Sequence, residues 1–197
     1  MVDVLYARKD SIYKTLEECE VWDAQRDARN CPGGNPVVAH PPCAQWGRMR
    51  GLANVNPVEK SLAVLAVLAV RKFGGVLEHP YGSQLWKHCR LPNPGRVDKW
   101  GGFTLPVLQQ WWGHRAAKPT LLYICGINPE SLPQMPFVMG EPQCHVGGSM
   151  KRTPGHQQRE LPKPERTHTP ILFAKWLVEI ANLTALRSSR ERCEAHG

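Results

Sequence analysis

Apolar residues of this chain fall into short runs that end at proline or glycine, and these runs alternate with longer segments of mixed polarity. A run of about four to eight apolar residues bounded by turn residues is typical of a buried strand, whereas a longer stretch with helical periodicity is typical of a helix. On this basis we predict strands over residues 2–6, 36–40, 75–79 and 120–125, and helices over residues 11–20, 57–72, 83–88, 106–112 and 171–186.

The central helix has clear start and stop signals. Asn56 stands before Pro57, and Glu59 follows three residues after Asn56, which is the arrangement of a capping box. Gly74 and Gly75 supply the stop. A strand, this helix and a second strand then form a unit with a right-handed crossover, so the two strands run parallel.

Strands that alternate with helices are typical of the α/β class, and we expect a three-layer, Rossmann-like fold with a mostly parallel sheet. The length of 197 residues suits a single domain over residues 1–197. Residues 127–168 are rich in proline and glycine, so we expect an irregular insert there.

Two chemically reactive side chains follow the parallel strands. Cys43 lies just beyond the strand over residues 36–40, and Glu78 lies near the end of the strand over residues 75–79. The carboxyl ends of parallel strands point the same way, and open α/β sheets bind ligands at that edge. If the strands are neighbours, the thiol and the carboxyl group face one crevice.

Charge and composition indicate the partner. The chain carries 25 Lys and Arg against 17 Asp and Glu, a net charge of +8, which favours a polyanion such as DNA. No apolar stretch is long enough to span a membrane, the N-terminus lacks a signal-type core, and seven unevenly spaced cysteines suit reduced thiols. We therefore expect a cytoplasmic protein without membrane contacts.

Polar and basic residues near the expected crevice are candidates for nucleic-acid contacts. Cations next to aromatic rings suit phosphate binding and base stacking, and the segment QQWWGHRAAKPT places such cations beside two tryptophans at a strand start. The candidates for nucleic-acid binding are Gln45, Arg48, Arg50, His114, Lys151 and Arg152, with Arg115 and Lys118 assigned to the catalytic site.

The order of these motifs resembles the catalytic half of the cytosine-C5 DNA methyltransferase family, in its small phage-type members. The resemblance covers a strand ending in HPPC, a strand ending in EHP, the segment WGHRAAKPT before a strand, and ERTHTPILFAKWL near the C-terminus. It implies a reduced methyltransferase-like fold and a DNA substrate, either double-stranded with base flipping or single-stranded.

The resemblance also implies a mechanism. Carbon 5 of cytosine is a poor nucleophile, so a thiolate first adds to carbon 6. That role would fall to Cys43, and Glu78 would act near ring nitrogen 3 as a hydrogen-bonding general acid. Arg115 or Lys118 would hold the carbonyl oxygen of the base or a phosphate group.

S-adenosylmethionine is the leading methyl donor by this resemblance, but no glycine-rich turn follows the first strand, where the sequence reads YARKDSIYK. Modification of a pyrimidine with another donor, or with none, is the alternative. Two further hypotheses remain open: a zinc protein that uses some of seven His and Cys residues, and a non-catalytic DNA-binding or decoy protein. The seven residues are His40, Cys43, His79, His88, Cys89, Cys144 and His145.

Overall fold

The computed structural model of the protein describes residues 1–47, 50–52, 56–146 and 159–194. It has a six-stranded sheet, a separate two-stranded sheet and four α-helices within these ranges. The strands are β1 (Val2–Ala7), β2 (Cys19–Asp23), β3 (Val37–Ala39), β4 (Gly75–Pro80), β5 (Phe103–Leu108), β6 (Pro119–Cys125), β7 (Cys144–His145) and β8 (Arg159–Glu160). The α-helices are α1 (Pro57–Phe73), α2 (Leu85–His88), α3 (Lys163–Arg166) and α4 (Ile171–Glu194).

The six strands lie in the order β2-β1-β3-β4-β6-β5. Strands β1 to β4 are parallel to one another, and β6 is antiparallel to both β4 and β5. The expected α/β class with a mostly parallel sheet is confirmed. The chain passes from β1 to β2 on one side and then to β3 on the other side of β1. Open α/β sheets bind ligands at such a reversal of strand order.

Helices cover the two faces of the sheet and make three layers. Helix α1 packs on the face that carries Leu5, Ala39 and Leu77, whereas α4 packs on the face that carries Val4 and Val38. Each strand alternates between these faces because successive side chains of a strand point in opposite directions.

Glycine sets the spacing between β3 and β4. Gly75 pairs with Val37 and has a φ of +118°, and a Cβ atom at Gly75 would lie 2.0 Å from the Val37 carbonyl oxygen. The neighbouring Gly74 has a φ of +77° and ends α1 as predicted. At the other end of α1, the Asn56 side chain accepts hydrogen bonds from the amides of Val58 and Glu59, so the predicted cap is confirmed.

Two predicted helices are wrong. Residues 11–20 form only a short 3-10 helix, Ile12–Thr15, and their last two residues begin the edge strand β2. Residues 106–112 form the end of the edge strand β5 and a 3-10 helix, Gln109–Trp112. An edge strand tolerates Pro106 because one side of it makes no ladder hydrogen bonds.

The insert over residues 127–168 is mostly irregular, with short pieces of regular structure within its described parts. These are a 3-10 helix (Pro129–Ser131), β7, β8 and α3. The helix predicted over residues 171–186 is present and continues as α4 to Glu194. Arg48, Lys151 and Arg152 lie outside the described residues. No helix in the described part of the chain combines the length and apolar character needed to cross a membrane.

We predict that Gly75→Ala lowers the free energy of unfolding by at least about 2 kcal/mol, because the new methyl group meets the Val37 backbone and the residue keeps a left-handed φ. Urea unfolding followed by circular dichroism measures this change. Gly51→Ala is the matched control, since a Cβ atom there meets no atom of the described residues within 4 Å. Equal stabilities of the two variants would contradict the assigned role of Gly75.

Candidate functional site

The carboxyl ends of β3 and β4 are neighbours, as the predicted crevice requires. Val37, Val38 and Ala39 pair in register with Gly75, Val76 and Leu77. The next residues along each strand are His40 and Glu78, and both lie on the face covered by α4.

Glu78 is largely buried and accepts two hydrogen bonds. One carboxylate oxygen lies 3.1 Å from His40 Nδ1, and the other accepts from Gln109 Nε2 at 3.0 Å. The Glu78 side chain is 15% exposed. A buried carboxylate is stable only when donors of this kind surround it, so the two contacts fix the position of Glu78.

Each of these donors is held in turn by another residue. His40 Nε2 lies 2.9 Å from the hydroxyl group of Tyr13, which is 1% exposed. Gln109 Nε2 also donates to Thr120 Oγ1 at 3.0 Å. The resulting chain runs from Tyr13 through His40, Glu78 and Gln109 to Thr120, and we call it the Glu78 network.

The environment of Glu78 determines its charge. Burial alone would raise the pKa of Glu78, but the hydrogen bond and electrostatic attraction from His40, with a further contribution from Lys118, lower this pKa to about 2. Glu78 is therefore an ionised hydrogen-bond acceptor near neutral pH in the free protein.

Cys43 begins a turn that is anchored to α1. Its carbonyl oxygen accepts hydrogen bonds from the amides of Trp46 and Gly47. The buried Trp46 donates its indole N–H to the carbonyl oxygen of Lys60, and Gln45 donates to the carbonyl oxygen of Asn56. Gln45, predicted to contact nucleic acid, thus fastens the turn to the start of α1.

The thiol of Cys43 is electrostatically coupled to two charged side chains. Cys43 is exposed as a residue, although neighbouring groups crowd its sulfur. Crowding around the sulfur and the negative charge of Glu78 raise the pKa of the thiol, while the positive charge of Lys118 opposes this rise. The sequence prediction that Cys43 and Glu78 lie at the same edge agrees with this coupling.

Lys118 lies at the same edge, just before β6. Its backbone has a φ of +41°, and its Nζ donates to the carbonyl oxygen of His168 at 3.0 Å. Burial lowers the pKa of Lys118, and the negative charge of Glu78 partly offsets that effect. A left-handed conformation at a residue other than glycine is strained, and such strain concentrates at functional sites.

The other predicted basic residues lie in different surroundings. Arg115 forms an ion pair with Glu165 at 2.9 Å, and both border a cavity of about 340 Å³ whose lining does not include Cys43 or Glu78. In the buried ring of His114, Nδ1 accepts a hydrogen bond from the Ala116 amide at 3.1 Å and Nε2 donates to the Glu165 carbonyl oxygen at 3.3 Å, which suits a structural role. Arg50 is exposed.

The histidines proposed for zinc have other surroundings. Both ring nitrogens of His40 belong to the Glu78 network. His79 is fully buried beside the Pro42 carbonyl, outside hydrogen-bonding geometry, and burial lowers its pKa to about 4. Within the described residues, no three His, Cys, Asp or Glu side chains are grouped as metal ligands.

The carboxyl ends of β1 and β2 do not fit S-adenosylmethionine. Asp23, the acidic group at the end of β2, is almost fully buried; it pairs with Lys14 at 2.7 Å and accepts from the amides of Gln25 and Arg26. The turn after β1 contains Arg8 and no glycine. A saturated carboxylate and nearby cations match poorly with a cofactor that carries a sulfonium cation and binds beside glycine-rich backbone.

Sequence reasoning missed Tyr13 and Gln109. Both lie in segments that were predicted as helices and that instead carry 3-10 turns between strands. Their roles depend on contacts with residues 27 and 31 positions away along the chain. No local pattern indicates such contacts, although a correct assignment of β2 and β5 would have placed both residues near the carboxyl ends of β3 and β4.

The coupling of Cys43 to its neighbours predicts opposite effects of two substitutions. Glu78→Gln removes a negative charge and should lower the thiol pKa, whereas Lys118→Met removes a positive charge and should raise it. The rate of Cys43 alkylation by iodoacetamide, followed by peptide mass spectrometry across pH, should therefore rise severalfold near neutral pH in the first variant and fall in the second.

Glu130→Gln and Lys87→Met remove the same charges from exposed sites and serve as controls. Alkylation profiles of Cys43 that coincide in all four variants would show that the thiol is not coupled to Glu78 or Lys118.

Comparisons of the chain with protein-family models, with curated proteins and with solved structures found no match. Any function assigned to this site therefore rests on the residues of the chain itself.

Proposed function

We propose that this protein is an enzyme that modifies carbon 5 of a pyrimidine base in DNA through a covalent adduct between Cys43 and carbon 6. The observation that carries the proposal is the placement of an exposed cysteine at the carboxyl edge of the parallel strands, where its thiol is electrostatically coupled to a buried, ionised carboxylate and to a lysine. The motif order of the cytosine-C5 methyltransferase family points to the same chemistry.

The first step is addition of the Cys43 thiolate to carbon 6. The new S–C6 bond forms as the electrons of the C5=C6 double bond move toward carbon 5 and the exocyclic atom on carbon 4. Carbon 5 then becomes nucleophilic and takes an electrophile. In the simplest case this electrophile is a proton from water, after which the original C5 proton leaves, the double bond re-forms and the thiolate is released.

Lys118 and Glu78 have complementary roles in this proposal. Glu78 holds the ring at nitrogen 3, and Lys118 stabilises the negative charge that develops during addition. We assign this stabilising role to Lys118 rather than to Arg115, because Lys118 is electrostatically coupled to both Cys43 and Glu78, whereas Arg115 is paired with Glu165.

DNA as the partner is supported by charge and by an exposed apolar loop. Phe137 is 75% and Met139 is 84% exposed. This loop is connected to the Glu78 network, because Gln110 donates to the Gly140 carbonyl oxygen and the adjacent Gln109 donates to Glu78. Apolar side chains of this kind enter DNA where bases unstack, which suits an enzyme that must extrude its target base.

Exchange of the C5 proton tests the nucleophile without knowledge of a donor. In D2O, the wild-type protein should remove the H5 nuclear magnetic resonance signal from a pyrimidine in a single-stranded oligonucleotide. The rate should rise from neutral to alkaline pH, because the raised thiol pKa leaves little thiolate at neutral pH. Cys43→Ser should abolish exchange, since a serine hydroxyl ionises far less readily than a thiol.

Cys89→Ser, a change at a half-buried cysteine outside the site, should exchange the proton at the wild-type rate. Exchange that survives in Cys43→Ser, or that is missing from the wild type with every pyrimidine tested, would overturn the proposed function.

Salt dependence tests the polyanionic partner. Affinity for an oligonucleotide should fall as salt rises, and Arg50→Ala should reduce the slope of log affinity against log salt by roughly one if Arg50 contacts a phosphate. The same measurement applies to Arg48→Ala, Lys151→Ala and Arg152→Ala. Lys175→Ala, which removes an exposed cation from α4, should leave the slope unchanged. Binding that does not respond to salt would exclude the phosphate contacts.

A further inference from the structure

Hydrogen-bond geometry around Glu78 indicates which pyrimidine the site binds. This inference rests on the function proposed above. The hydrogen bonds of Thr120 orient the amide of Gln109. Thr120 Oγ1 donates to the carbonyl oxygen of Lys118 at 3.1 Å, so the same hydroxyl oxygen accepts from Gln109 Nε2. The NH2 group of Gln109 therefore also faces Glu78, and the Glu78 oxygen is the acceptor.

The other side of Glu78 leads to the same assignment. The hydroxyl group of Tyr13 is buried, and its hydrogen-bond partner is His40 Nε2. A buried phenol donates its hydrogen where an acceptor is in reach, so Tyr13 donates to Nε2 and the ring hydrogen of His40 lies on Nδ1. Nδ1 then donates to Glu78, and both carboxylate oxygens are acceptors.

Lys118 supplies hydrogen-bond donors at the same edge of the sheet. Its ammonium group has three hydrogens, and one is used by the carbonyl oxygen of His168. Its other hydrogens can bond a ligand at this edge, where the charge of Lys118 is coupled to both Glu78 and Cys43. The site thus offers an acceptor and a donor to the edge of a ring held over the thiol.

Pyrimidines differ at these two positions. Uracil has a donor at nitrogen 3 and an acceptor oxygen on carbon 4, whereas cytosine has an acceptor at nitrogen 3 and a donor amino group on carbon 4. We infer that the site is built for a uracil-type base, whose N3–H donates to Glu78 and whose carbonyl oxygen on carbon 4 accepts from Lys118.

The charge state of Glu78 agrees with this inference. To bind nitrogen 3 of cytosine, Glu78 would have to carry a proton, but the hydrogen bond from His40 and the positive charge of Lys118 favour the ionised form and lower its pKa despite burial. With uracil, the charge that develops on the oxygen after thiolate addition would also lie beside the Lys118 ammonium group. The family resemblance predicts cytosine as the target base, whereas the hydrogen-bond geometry predicts uracil.

The test compares two single-stranded oligonucleotides that differ only in one base, deoxyuridine or deoxycytidine. H5 exchange in D2O is measured with wild-type protein and with free cysteine at the same pH, and each enzymatic rate is divided by the rate with free cysteine. The normalised rate should be on the order of tenfold or more higher for deoxyuridine, because sites that hydrogen-bond a base edge reject the mismatched edge strongly.

Glu78→Gln should shift this ratio toward deoxycytidine, because an amide can donate to nitrogen 3 of cytosine. Glu59→Gln is the matched control, since it removes another negative charge that acts on the Cys43 thiol and should leave the ratio unchanged. The wild-type ratio decides the question even if Glu78→Gln fails to fold.

The outcomes separate this inference from the function on which it rests. A normalised rate for deoxycytidine that equals or exceeds that for deoxyuridine would overturn the uracil assignment and leave pyrimidine activation in place. Exchange of neither base would overturn the proposed function itself.

Discussion

A buried carboxylate needs donors on every side that water does not reach, and Glu78 obtains them from separate parts of the chain. His40 comes from the end of β3, Gln109 from the turn after β5, and Tyr13 supports His40 from the crossover between β1 and β2. These contacts hold together strands that are distant in sequence. Replacing one donor would leave a buried charge short of a partner, which costs more than the lost hydrogen bond contributes.

The geometry of this edge depends on how closely β3 and β4 approach. Gly75 permits that approach. The register of the two strands then places His40 beside Glu78 on the face covered by α4. The proline pair after His40 then turns the chain so that Cys43 leaves the sheet while its turn is fastened to α1 through Trp46. A rigid framework of this kind is what a covalent mechanism requires, because the nucleophile must meet one atom of the ring.

Local signals predicted the centre of the fold well. The capped helix α1, its glycine stop and the two strands around it were specified by nearby residues, so Cys43 and Glu78 were placed at the same edge. The edge strands β2 and β5 were missed because their sequences carry helix-forming polar residues or a proline, and only pairing with the rest of the sheet makes them strands. Tyr13 and Gln109 were missed with them, since long-range contacts give both their roles.

The raised pKa of Cys43 has a physical meaning in this arrangement. Near neutral pH the thiol stays protonated because its crowded surroundings and the Glu78 carboxylate disfavour a second negative charge. A base that donates a hydrogen bond to Glu78 spreads the charge of the carboxylate and weakens its effect on the sulfur. The thiolate would then form more readily when a matching base is present, so one carboxylate would both select the ring and restrain the nucleophile in its absence.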